Sequence, residues 1–234
     1  MPQPIISLRK VNVTNKSNKI LSINKFEIHR GAAYLIHGKM GAGKTALINV
    51  LSRNIKINSG ELEYENKPIS SYSKRDFYDQ VALVPQINKT PWGTVRKYLT
   101  KTLSKYSHIK NPATKIDEIG RKMEINHLLD IKMSKLSQGQ LRWVIVAANI
   151  ASDTKVLLID ELEQHLSRND INILIKILYK KCNYDGITLI GTTQNKELFS
   201  QRLSSVTISL EEGRITSVRS SSKRSKGYDK RRKN

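Results

Sequence analysis

The stretch GKMGAGKTAL, residues 38–47, follows the apolar run AAYLIH without a break, and it constrains the fold more than any other part of this 234-residue chain. Gly38, Gly43, Lys44 and Thr45 satisfy the spacing G-x-x-x-x-G-K-[ST], with Gly41 as an extra glycine inside the loop. The preceding run predicts a buried strand and TALINVLSR a helix starting from the loop, which is the context this spacing requires. Glycines let successive backbone N–H groups turn inward on a phosphate chain, and a helix N-terminus adds partial positive charge. Gly38, Lys39, Met40, Gly41, Ala42, Gly43, Lys44, Thr45 and Ala46 are therefore expected to cradle the phosphates of a nucleotide. Lys44 is expected at the β- and γ-phosphates, and the Thr45 hydroxyl on Mg²⁺.

KVLLIDE supplies a second half. Its four apolar residues predict a strand at the sheet centre, with Asp160 emerging at the carboxyl end, where open α/β sheets bind ligands. Asp160 is expected to orient the magnesium shell, and Glu161 to polarise a water at the γ-phosphate.

The rest of the chain alternates between the two periods. IISLRKVNV and ILSINKFEIH place apolar residues at every second position, GELEYENKPI reads as a strand and turn, and QVALVPQ as a short buried strand. From about Thr94 to Ala151 the pattern is helical, in the pieces TVRKYLTKTL, KIDEIGRKM and QLRWVIVAANIA. Strands return at KVLLIDE and ITLIGTT around the helical RNDINILIKILYKKC, and SSVTISLEEGRITSV reads as a hairpin turned at Glu-Glu-Gly. The expected fold class is α/β: a P-loop NTPase with a mainly parallel central sheet, an N-terminal antiparallel β subdomain and an inserted helical subdomain. The ATP-binding domain is expected over residues 4–218.

Composition narrows the setting. The formal charge is +21, from 41 Lys and Arg against 20 Asp and Glu. Residues 219–234 carry eight basic residues and one acid, almost without apolar residues, and are expected to form a disordered basic tail. Such a balance favours an anionic partner, either nucleic acid or an anionic membrane face. The single Cys182 excludes an internal disulfide and reads as a reduced bystander thiol. No apolar run approaches a membrane span and the N-terminus lacks a signal-peptide core, so a cytoplasmic protein is expected. The five histidines show no ligand spacing, and Trp92, Trp143 and Tyr34 read as packing residues.

Three further stretches resemble the nucleotide-binding subunits of ATP-binding cassette (ABC) transporters. GELEYENKPI…QVALVPQ is similar to the family segment ending in the Q-loop, whose glutamine falls on Gln86. LSQGQ, residues 136–140, is similar to the signature LSGGQ, and KVLLIDE follows it at the usual short distance. The resemblance implies a head-to-tail dimer sandwiching two ATP molecules, each site pairing the glycine loop of one subunit with Ser137 and Gly139 of the other. It implies that Gln86 touches Mg²⁺ or water and senses a membrane subunit. A permease-like integral membrane partner follows from it, with the chain peripheral on the inner membrane face and the basic tail on anionic lipid. The loop form and compact length are similar to cell-division and lipoprotein-release ATPases.

Several positions depart from the family. Gln138 replaces a signature glycine, Leu162 the proline after the glutamate, and Ser167 an aspartate. The switch histidine falls on Gln194, which can hydrogen-bond a phosphate without carrying imidazole's charge. An adenine-stacking aromatic is absent near VNVTNKSN. These departures imply slow hydrolysis through Glu161 and Gln194, with a binding-only ATP switch as the alternative. A nucleic-acid-associated cassette is the other alternative, but tandem cassettes and zinc cysteines are lacking. The 91 positions between Thr45 and Leu136 are too few for a coiled-coil arm.

Overall fold

A computed structural model describes residues 3–16, 18–86 and 89–220. The chain opens with β1 (Ile6–Asn15) and β2 (Asn18–Ile28), an antiparallel pair in which the alternating apolar positions are buried. β3 (Ala33–His37) then enters the core and runs into the glycine loop, from which α1 (Lys44–Leu51) starts. β4 (Ser59–Tyr64) and β5 (Lys67–Pro68) return to the first sheet, whose order is β2-β1-β4-β5 with every pairing antiparallel. The short α2 (Lys74–Tyr78) leads to β6 (Val81–Val84).

Three helices intervene before the next strand: α3 (Val95–Leu103), α4 (Pro112–Lys122) and α5 (Gln138–Ala151). They start where side chains can cap them. Thr94 accepts from the Lys97 amide, Asn111 from the Ala113 and Thr114 amides, and Ser137 from the Gln140 amide. β7 (Val156–Ile159), α6 (Arg168–Asn183), β8 (Thr188–Thr193), the short α7 (Glu197–Ser200), β9 (Val206–Glu211) and β10 (Arg214–Ser220) complete the described residues. The second sheet has the order β10-β9-β3-β8-β7-β6, parallel throughout except for the β9–β10 hairpin. The architecture is α/β, with an antiparallel N-terminal sheet beside the mainly parallel one.

Alternation along the parallel strands builds two cores, one on each face. Ala33 and Leu35 of β3 join Leu157, Ile159 and Leu189 against α5 and α6, while Tyr34 and Ile36 join Val156, Leu158 and Ile190 against α1 and the first sheet. Trp143 is 6% exposed and donates its indole N–H to Met123 O at 2.9 Å, so Trp143 and Tyr34 are packing residues as expected. Trp92 is not. It is 95% exposed, in the loop between β6 and α3. Cys182 is buried, and burial pushes its thiol up to about 12, out of reach of thiolate chemistry. Among the described residues no helix is long and apolar enough to cross a membrane. β10 extends through Arg219 and Ser220, paired with Thr207 and Val206; the rest of the basic tail lies outside the described residues.

Candidate functional site

Parallel strands in register end together. His37 of β3 pairs with Thr193 of β8, Ile159 of β7 with Gly191 of β8, and Val84 of β6 with Ile159. Their carboxyl ends therefore deliver the glycine loop, Asp160–Glu161, Gln194 and Gln86 to one edge of the sheet.

The loop is shaped by close approach. A Cβ on Gly38 would lie 2.1 Å from Leu210 O, and Gly43, at φ 99°, packs against Leu21 and Ile20 O. Gly41 also has positive φ (79°), so both inner glycines occupy backbone space that side chains avoid. Lys44 is buried, and its ammonium donates to Gly38 O at 2.7 Å and Lys39 O at 3.0 Å, folding back over the loop. Thr45 is exposed beside it on the first turn of α1, while Ala42 is buried and Ala46 half-buried. Lys39 is exposed, and Met40 stands 90% exposed at the loop tip. His37, at the base, shares a hydrogen bond with Ser209; burial first, then Lys196, Arg219 and Lys44, hold its imidazole below the ordinary value. Three cationic side chains thus act on a half-buried histidine at the base of the loop, with Glu211 opposing them.

On the neighbouring strands the carboxylates are held in place. Asp160 is 2% exposed and its Oδ1 accepts the Thr192 hydroxyl at 2.6 Å. Glu161 adopts φ 53°, a left-handed conformation that costs a non-glycine residue roughly 1–3 kcal/mol. Its amide donates to Thr192 Oγ1 at 2.7 Å, and its carboxylate Oε1 accepts from Gln194 Nε2 at 2.8 Å. Thr192 therefore ties both acids to β8. Gln86 is half-buried just beyond β6.

Ser137 and Gly139 stand apart from this cluster. Ser137 is the exposed N-cap of α5, in a reciprocal capping box with Gln140. Gly139 lies so close to His165 O that a Cβ would sit 2.8 Å from it. Neither shares a hydrogen bond with the glycine loop among the described residues.

Two residues escaped the sequence reading. Arg142 is 1% exposed and donates to three carbonyls: Pro85 O beside Gln86, Asp160 O at 2.6 Å and Glu161 O at 3.0 Å. Burial lowers its guanidinium to about 10, with Asp160, Glu161 and Glu163 opposing, so it stays charged at neutral pH. Glu163 Oε1 accepts the Thr193 hydroxyl at 2.8 Å, the Gln194 amide at 2.8 Å and the Asn195 amide at 3.2 Å. The available signals were a lone arginine inside the apolar run QLRWVIVAANIA and a third acid two residues after Glu161.

Comparisons with known proteins bear on the whole chain and its fold. The family model described as ABC transporter matches residues 21–164. The ATP-binding protein Uup of Buchnera aphidicola is 28% identical over 227 residues, covering 92% of this chain, but the chain spans only 34% of Uup's length. The cytochrome c biogenesis ATP-binding export protein CcmA of Reclinomonas americana is 27% identical over 188 residues, covering 77% of this chain and 82% of CcmA. Among solved structures, a dimeric ATP-binding cassette in a post-hydrolysis state, bound to ADP and Pi, superposes with a TM-score of 0.81 at 20% identity. That match covers 92% of this chain and 98% of the cassette, and it establishes the fold.

Proposed function

The chain belongs to the ABC transporter family, and from that premise we propose that it is an ATP-hydrolysing subunit, working as a head-to-tail dimer on a separate membrane partner. The observation that carries the reading is the Gln194–Glu161 hydrogen bond at the edge where the glycine loop emerges. A carboxylate that must orient water needs one oxygen restrained and the other free. The Gln194 amide donates to Oε1, leaving Oε2 of Glu161 to accept a water O–H.

The residues present fit a magnesium nucleotide. Gly38 and Gly43 pack too closely on Leu210 O, Leu21 and Ile20 O to carry side chains, which fixes the path of the loop, and the Lys44 ammonium, now on two loop carbonyls, can pass to phosphate oxygens as a charge-assisted donor. Thr45, Asp160 and Gln86 would hold Mg²⁺, which supplies charge neutralisation at the β- and γ-phosphates. In the dimer, Ser137 and Gly139 of one subunit face the γ-phosphate of the other, where the exposed Ser137 hydroxyl and the α5 N-terminus favour negative charge. Because Gln194 carries no titrating charge, hydrolysis is slow compared with a histidine-switched site.

The membrane partner is supported by a groove of about 1000 Å³ between β6 and the helical insertion, lined by Tyr78, Pro85, Pro91, Tyr98, Tyr106 and Ile145. Exposed Trp92 follows Pro91 at its rim. Its aromatic and apolar side chains alternate with Arg75, Asp79, Lys89 and Lys105, the mixed surface that protein partners take, and it lies directly beside Gln86. The chain then sits at the inner membrane face, its basic tail on anionic lipid.

The test is Glu161→Gln in the full chain. Phosphate release should fall to background while ATP binding persists and an ATP-bound dimer accumulates. Equal release by wild type and Glu161→Gln, measured with the membrane partner present, sinks hydrolysis and leaves a binding-only ATP switch.

A further inference from the structure

Gln194 is gripped at both ends by one short turn. Its side-chain amide reaches Glu161, and its backbone amide reaches Glu163 Oε1; both contacts measure 2.8 Å. Between the two acids, Leu162 is fully buried and lies against Gly191, where even a Cβ would stand 2.6 Å from Leu162 Cδ1. The turn therefore cannot slide along β8. Glu163 Oε1 takes two further donors from the same segment, the Thr193 hydroxyl and the Asn195 amide. One carboxylate oxygen thus gathers three consecutive residues, a density of charge-assisted bonds that an ordinary turn lacks. Its other oxygen, Oε2, is buried and has no hydrogen-bond partner among the described residues, a cost that a purely structural cap would not need to carry.

We propose that Glu163 is a positioning residue for ATP hydrolysis: its carboxylate moors residues 193–195, so that the Gln194 amide stays on Glu161. This rests on the hydrolytic reading given above. The physical need is specific to glutamine. A glutamine side chain has one more rotatable bond than histidine and a flexible amide, so holding its tip in register demands a tightly fixed main chain. Arg142 completes the frame from the other side, fixing the Asp160 and Glu161 carbonyls and facing Glu163 electrostatically. Glu163 touches none of the reacting atoms; it acts through Gln194.

Two measurements on the full chain test this. Amide hydrogen exchange reports the mooring directly: in Glu163→Ala, exchange at Gln194 and Asn195 should quicken by roughly tenfold or more, and Glu163→Gln, which keeps a carbonyl oxygen, should recover most of the protection. Phosphate release against ATP concentration reports the consequence: Glu163→Ala should lower kcat by roughly tenfold with KM nearly constant, Glu163→Gln should lose less, and Glu163→Ala should add little to Gln194→Ala, since it acts through that side chain. Should Glu163→Ala fail to fold, Glu163→Asp, which withdraws the carboxylate by one methylene, is expected to shift both readouts in the same direction. Unchanged exchange at 194–195 overturns the proposal. So does faster exchange with unchanged kcat, or a kcat loss fully additive with that of Gln194→Ala. If wild type shows no release that depends on Glu161, the hydrolytic reading fails by itself, and the exchange comparison alone decides the mooring.

Discussion

Gly38 and Lys44 make opposite demands on the same loop. At Gly38 even a methyl group would collide with Leu210 O, a main-chain atom of β9 that cannot swing away. Gly38→Ala should therefore cost roughly 1–3 kcal/mol of stability, as overpacking does, and lower the midpoint of urea unfolding. Lys44 makes only two hydrogen bonds to carbonyls within its own loop, so Lys44→Ala should leave that midpoint nearly unchanged. What it removes is the charge offered to phosphate, about 1.5–3 kcal/mol, or roughly ten- to more than a hundredfold in MgATP affinity by titration calorimetry. Equal affinities would break the link between this loop and the nucleotide. Both residues were legible in the sequence because the spacing itself carries their chemistry. Arg142 and Glu163 were not. Their partners are mostly backbone groups, 18 to 57 positions away for the arginine and about 30 for the glutamate, and such groups leave no trace in composition. Trp92 was misread for a related reason. Burial is the common fate of a large aromatic side chain, and what decides it is whether apolar neighbours reach it in space.

At the scale of elements, periodicity located the strands and helices well, because each buries one face or both. Strand order was not legible: that β9 lies beside β3, rather than at the far end of the sheet, depends on pairing between residues some 170 positions apart. Nor was the joint that ties α4 and α6 to the end of α5. There Asp153, with φ 49°, accepts from both Lys115 of α4 and Lys181 of α6. Burial alone would raise the Asp153 carboxyl, but the hydrogen bonds and charges of Lys115 and Lys181 outweigh it and hold it below the usual carboxylate range. Its folded pKa being depressed, the joint's contribution is fully present above the unfolded carboxyl pKa, near 4, and disappears as pH falls through the lower folded value. Asp153→Asn should thus cost about 1–2 kcal/mol at pH 7, discounted for partial exposure, and progressively less at acid pH, as the wild-type carboxyl takes up its proton. Urea unfolding at neutral and at acid pH checks this; an equal loss at both would show that packing, not charge, holds the joint. Ser167 shows the same economy of local chemistry. Where the resemblance led us to expect aspartate, serine caps α6 and forms a reciprocal capping box with Asp170, so the helix start survives the substitution.

Across the whole molecule, the features that point to a partner lie on the side of the glutamine segment. The groove beneath β6 and α3 is rimmed by tyrosines and prolines, and Arg142 links Pro85 at its wall to the Asp160 and Glu161 carbonyls at the nucleotide edge. A group seated in that groove would press on a segment already tied to the reactive carboxylates, a mechanical route to the nucleotide for the membrane subunit proposed above. Trp92 stands free beside the groove, and exposed tryptophans at interfaces carry a disproportionate share of binding energy. Trp92→Ala should leave the unfolding midpoint and MgATP affinity within about 0.5 kcal/mol of wild type, since the side chain packs against nothing that stabilises the fold. Recovery of the companion protein from detergent-solubilised membranes should fall by roughly tenfold or more. Fluorescence supplies an internal check, because the chain has only two tryptophans and Trp143 is buried. In the free protein a large fraction of emission should be quenched by acrylamide, that fraction should vanish in Trp92→Phe, and partner binding should shield it in wild type. A wild-type emission that stays fully quenchable in the assembled complex would place the partner elsewhere on the surface.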